Sequence, residues 1–119
     1  MDVVSDELLR ERVGRGAVYL DNDIPDWAER IDISTLDLTG GDHCVLGQVF
    51  GGFREGREIL GLSLAVTRVL GFNYEARTNL DWIALYPGGR DIARSGAELE
   101  ADEAERLRVL WIEEVKRRA

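Results

Sequence analysis

From Glu98 to the end of the chain there is no Gly or Pro, and Leu107, Trp111 and Val115 recur at four-residue spacing with Ala104 and Leu110 beside them. That period places the apolar side chains on one helical face. Asp102, Glu103 and Glu105 lie early in the run and Lys116, Arg117 and Arg118 late, each sign complementing the helix dipole, so the segment predicts a helix. Near the start, Ser5 precedes Asp6-Glu7 and Leu8-Leu9, the pattern of an N-cap followed by an acidic first turn. Leu8, Leu9 and Val13 form its apolar face, and Gly14 and Gly16 are expected to weaken or interrupt it. Residues 17–20 either resume that helix or form a short apolar segment, and Asp21-Asn22-Asp23 ends it. Asp23 is expected to cap a second short helix carrying Pro25 in its first turn and an inward Trp27.

Ile31-Asp32-Ile33 alternates apolar and polar and leads to Leu36 and Leu38, a pattern that leaves a short strand and a turn of 3₁₀ helix both open. Thr39-Gly40-Gly41 breaks the chain and places Asp42 as N-cap of the apolar run Cys44 to Phe50, which Gly51-Gly52 stops. Residues 54–70 carry Ile59, Leu60, Leu62, Leu64, Val66, Val69 and Leu70, and are expected to form a central helix buried on more than one side, with Gly71 as its C-cap. Leu80, Trp82, Ile83 and Leu85 suggest a shorter element before the turn signal Pro87-Gly88-Gly89. Together these segments predict a small all-α (mainly helical) single domain over residues 1–119, with four to six helices and room for a minor short strand near residues 31–38. Its expected core is Trp27, Leu46, Phe50, Leu60, Leu64, Leu107 and Trp111.

A length of 119 residues suits one hydrophobic core, and 45% hydrophobic residues suffice to fill it. No apolar run approaches the roughly 18 residues that span a bilayer, and the acidic N-terminus is unlike a secretory signal, so a cytoplasmic protein is expected. Cys44 is the only cysteine, which excludes an intramolecular disulfide. The net charge of −8 argues against gripping nucleic acid or anionic lipid through phosphates. Between Asp21 and Asp42 seven carboxylates accompany one cation, Arg30. A field of one sign draws partners of the other, so Asp21, Asp23, Asp26, Glu29 and Asp32 are the candidate contact surface for a basic partner. The competing reading is a solvated face that serves solubility alone.

Asp42-His43-Cys44 gathers metal-capable side chains, but neighbours on a helix point about 100° apart and no second Cys or His completes a zinc site. No metal or cofactor is expected. Cys44 reads as a buried structural cysteine at a helix start, where a thiol's pKa would be lowered. Asp21-Asn22-Asp23 resembles the opening of a calcium loop, yet Pro25 and Asp26 fall where a ligand and the turn glycine belong. The glycine pairs match neither a phosphate loop nor a dinucleotide fingerprint. With no catalytic signature, a non-enzyme is the leading expectation.

Tyr19-Leu20-Asp21, Pro25-Asp26-Trp27, Arg30-Ile31-Asp32, Leu36-Asp37-Leu38 and Cys44-Val45-Leu46-Gly47-Gln48-Val49-Phe50-Gly51 together resemble a group of short proteins of unknown function from actinobacteria and their bacteriophages. The resemblance covers about residues 17–72, and the Leu107 to Trp111 spacing resembles the tail of that group. Members often carry a second cysteine three residues before the one matching Cys44; here Gly41 stands there, which withdraws any Cys-x-x-Cys chemistry. The resemblance implies a phage or actinobacterial setting and carries no activity with it; small size, absent catalytic signatures and uneven charge add the expectation of an accessory protein that binds a macromolecule, a host protein first among them, as an inhibitor or counter-defence factor. Two alternatives stay open. One is a small-ligand or nucleotide-sequestering protein using Arg54, Arg57, Arg90 or Arg94, and the other is a self-assembling structural protein with exposed Trp82 and Tyr86.

Overall fold

The computed structural model describes residues 5–74 and 96–118. Five α-helices and one 3₁₀ turn make up these residues, and among them there is no strand. Helix α1 (Asp6–Asp23) opens on Ser5, whose hydroxyl accepts the Leu8 N–H, and runs unbroken through Gly14 and Gly16. The expected interruption is absent because burial outweighs the low helix propensity of glycine. Leu9, Val13, Ala17 and Leu20 form one sealed stripe against the long helix α5 (Gly96–Arg118), which presents Ala104, Leu107, Trp111 and Val115.

After α1 a 3₁₀ turn, η1 (Trp27–Arg30), buries Trp27. Asp23 ends α1 instead of capping a new helix, and Asp26 occupies the cap position without a side-chain bond. Residues 31–38 are turns, neither strand nor 3₁₀ helix, yet Ile31, Leu36 and Leu38 are buried. A side chain takes the place of a neighbouring strand here. Gln48 Oε1 accepts the Asp32 N–H at 2.6 Å, while its Nε2 donates to the carbonyls of Asp32 (3.2 Å) and His43 (3.0 Å).

Helix α2 (Val45–Phe50) is capped by Cys44, not by Asp42: the Cys44 Sγ accepts the Gly47 N–H at 3.2 Å. The expected central helix is two helices, α3 (Phe53–Leu60) and α4 (Leu64–Val69). Gly61 separates them at φ +70, a left-handed conformation that glycine enters without a Cβ clash. Ser63 then restarts the chain by capping α4 through the Val66 N–H. This pair of helices is not the buried centre of the fold. Ile59, Leu64, Val66 and Val69 are exposed, and only Gly56 and Thr67 are buried along the two helices.

The centre is aromatic. Trp27 meets Trp111 edge-on with ring centroids 5.6 Å apart, and Phe72 stacks on Trp111 at 5.4 Å. Gly71, at φ +73, lets the chain after α4 land on the backbone of Val13, and its carbonyl accepts the Trp111 indole N–H at 2.7 Å. Of the expected core, Trp27, Leu46, Leu107 and Trp111 are buried, Phe50 and Leu60 are half-buried against it, and Leu64 lies outside. No helix of the described residues is long and apolar enough to cross a membrane. The predicted element at Leu80–Leu85, the turn at Pro87-Gly88-Gly89, and Trp82, Tyr86, Arg90 and Arg94 lie outside the described residues.

Candidate functional site

The five carboxylates singled out in the sequence stand around the end of α1, η1 and the turn that follows, but they do different work. Asp21 is tied into the fold. Its two oxygens accept Arg118 Nε at 2.9 Å and Nη2 at 2.8 Å, and Oδ1 also accepts the Trp27 indole N–H at 2.8 Å. The Arg118 guanidinium lies 5.3 Å from the Trp27 ring centroid. These bonds with Arg118 hold the Asp21 carboxyl below its ordinary range and push the Arg118 guanidinium up.

Asp32 is spent on its own loop. Its Oδ1 accepts the Ser34 hydroxyl at 2.6 Å and the Ser34 N–H at 3.0 Å, and those bonds lower its pKa. Asp37 does the same with Thr39, one loop further on. Both carboxylates remain exposed. Asp26 pairs with Arg30 at 3.3 Å on the surface, and Asp23 and Glu29 are exposed. Tyr19, whose phenol is raised by burial and then by Asp23, stands beside them. The exposed carboxylates are therefore Asp23, Asp26, Glu29 and Asp32, while Asp21 is half-buried against Arg118 and Trp27.

Two further features were not among the candidates. The first is Gln48, whose amide spans 16 residues to hold the Asp32 turn in place; its only sequence signal is a polar residue inside the apolar run 44–50. The second is the surface of α4. Leu64, Val66 and Val69 stand outward there, Ile59 is 68% exposed just before it, and residues 59–67 carry no charge. Gly14, Val18, Tyr19 and Leu70 line an open groove of about 480 Å³ between α1 and the end of α4. Patterning alone reads these residues as core because their apolar spacing does not say which elements will cover them.

No family model, curated protein or solved structure matches this chain. The chemistry of the remaining candidates therefore rests on geometry. Among the described residues no group of three or more His, Cys, Asp or Glu side chains is placed to hold a metal ion. Cys44 stands at a helix start as expected, but its thiol is raised, not lowered, because burial outweighs the Gly47 N–H that it accepts. A buried thiol of raised pKa is a poor nucleophile. Arg54 is exposed and paired with Glu58 at 3.1 Å, and Arg57 lies on the same short helix without lining any groove described here. A groove of about 220 Å³ between α1 and α5 holds Arg10 and Arg106, but Glu113 and Asp6 already bind them.

Proposed function

We propose that this chain is a small accessory protein that acts by binding another protein, a host protein in the phage or actinobacterial setting its sequence resembles, through Asp23, Asp26, Glu29 and Asp32. The observation that carries the reading is that these four carboxylates are all exposed at the end of α1, on η1 and in the turn after it, with Arg30 paired to Asp26 and Arg118 turned onto Asp21. Such a surface raises the encounter rate with a basic partner and makes the association salt-dependent. Asp21 is held by Arg118 and Trp27 instead of touching the partner.

The test is affinity capture from an actinobacterial lysate with the wild type and with the double variant Asp26→Lys/Glu29→Lys, read by mass spectrometry. Both positions are exposed, so the variant folds normally. A protein with a basic surface is expected to be captured by the wild type, released by added salt and lost by the variant. If every captured protein stays bound to the variant, the acidic surface is not the contact.

A further inference from the structure

We propose that α4 is a lid over α1 that opens by local unfolding while the rest of the fold stays closed. Every hydrogen bond made by residues 61–70 is returned within residues 57–72. Arg68, the one charge in that stretch, has no ion pair among the described residues, and its Nε is buried without an acceptor, a cost that opening to water relieves. The buried Thr67 adds no polar tie, because its hydroxyl donates to the Leu64 carbonyl at 2.6 Å inside the same helix. What holds the stretch down is the packing of Leu62, Thr67 and Leu70, while Leu64, Val66 and Val69 stand exposed. A helix of six residues is far below the roughly 12–15 that an isolated helix needs in water, so α4 melts once that packing slips.

Both ends of the lid are anchored from outside it. On the α3 side Gly56 lies against Phe50 and Leu46, and on the other side the Gly71 carbonyl holds the Trp111 indole while Phe72 stacks on the same ring. The opening is therefore bounded by the two left-handed glycines, Gly61 and Gly71. By contrast α1 and α5 are joined by a sealed apolar stripe and by the ion pairs Arg10–Glu113, Arg106–Asp6 and Arg118–Asp21. Local opening begins where such ties are fewest.

The covered place is Gly16. A Cβ there would strike the Leu70 carbonyl and the Trp111 ring together, so the end of the lid, α1 and Trp111 converge on it. Leu70 also walls the open groove that Gly14 and Val18 line on α1. Release of Leu70 extends that groove toward the edge of the Trp111 ring.

Amide hydrogen exchange of the full chain, followed residue by residue by NMR, tests the lid. After division by intrinsic rates, the amides of Thr67, Leu70 and Phe72 are expected to exchange at least roughly tenfold faster than those of Val13, Ala17 and Leu107. Two cap variants then separate local from global opening. Ser63→Ala removes the α4 cap and is expected to speed the Thr67, Leu70 and Phe72 amides about fivefold. Ser5→Ala removes the α1 cap, which the open-lid state keeps; it is expected to speed the Val13, Ala17 and Leu107 amides by a similar factor and to leave the α4 amides unchanged. Amides of α4 that exchange at the core rate, or that respond to Ser5→Ala as the core does, overturn the proposal, because α4 then opens only with the whole fold. The pattern is read without any partner present, so failure here and failure of the host-protein reading are separate results.

Discussion

Replacing Arg118 by Met keeps the length of the stem, removes the guanidinium, and leaves Asp21 with the Trp27 indole N–H as its remaining partner. Arg118 and Asp21 side chains are 23% and 38% exposed, between the fully wet and fully buried limits. Exposed ion pairs are worth about 0.2–1 kcal/mol, and two-pronged geometry places this one at the upper end, about 1 kcal/mol. The guanidinium over Trp27 adds about 0.5–1 kcal/mol, for a total cost near 2 kcal/mol. At this chain length each kcal/mol moves the melting temperature by roughly 4 °C, so Arg118→Met is expected to melt about 8 °C lower. Asp21→Asn removes the charge but keeps an oxygen for the indole. A double-mutant cycle of the two in urea denaturation isolates the pair, with an expected coupling of about 1 kcal/mol.

The pH dependence has a fixed sign. Because Arg118 depresses the folded Asp21 pKa, the pair's stabilisation is fully present above the unfolded value of about 3.9 and is lost as pH falls through the lower folded value. The gap between wild type and Asp21→Asn should therefore be flat from neutral pH down to that point and close below it. A coupling near zero, or a gap that closes instead around neutral pH, would refute the assignment of Asp21 to the fold.

Gly14 and Gly16 provide an opposed pair within α1. A Cβ at Gly14 meets nothing, so Gly14→Ala is expected to raise stability by about 0.5–1 kcal/mol in thermal melts. At Gly16 the Cβ would collide with the Leu70 carbonyl and press on the Trp111 ring, so Gly16→Ala should cost about 1–3 kcal/mol by the same measurement. Gln48→Glu turns the amide that faces the Asp32 and His43 carbonyls into a carboxylate, and urea denaturation should show a loss of about 1–3 kcal/mol, smaller at low pH where the carboxyl regains a donor.

Where local pattern and tertiary packing agree, the fold was legible. The four-residue spacing of Leu107, Trp111 and Val115 gave α5, Ser5 gave the start of α1, and Trp27 and Leu46 were inward as the pattern implied. Residues 54–70 misled because their apolar content is continuous while their geometry is not. Gly61 turns the chain, and beyond it Thr67, Leu62 and Leu70 face the core while Leu64, Val66 and Val69 are left exposed. The N-cap fell to Cys44 and not Asp42 because the helix begins two residues later than the breaker suggests, and a thiol can accept there. The candidate carboxylates were legible as a charged stretch, but the separation of Asp21 from the rest was not: Arg118, its partner, is 97 residues away. Composition reports how much charge a segment carries, whereas its use depends on what the fold brings alongside.

The Cys44 cap has a consequence for watching this molecule move. Its sulfur takes the Gly47 N–H and points its own hydrogen toward the Gly41 carbonyl, all behind a sealed surface, so no thiol reagent reaches it while the first turn of α2 is closed. Modification must wait for that turn to open. With one such sulfur in the chain, the rate at which a reagent consumes it becomes a clock set to the opening of a single helix, readable without any introduced label.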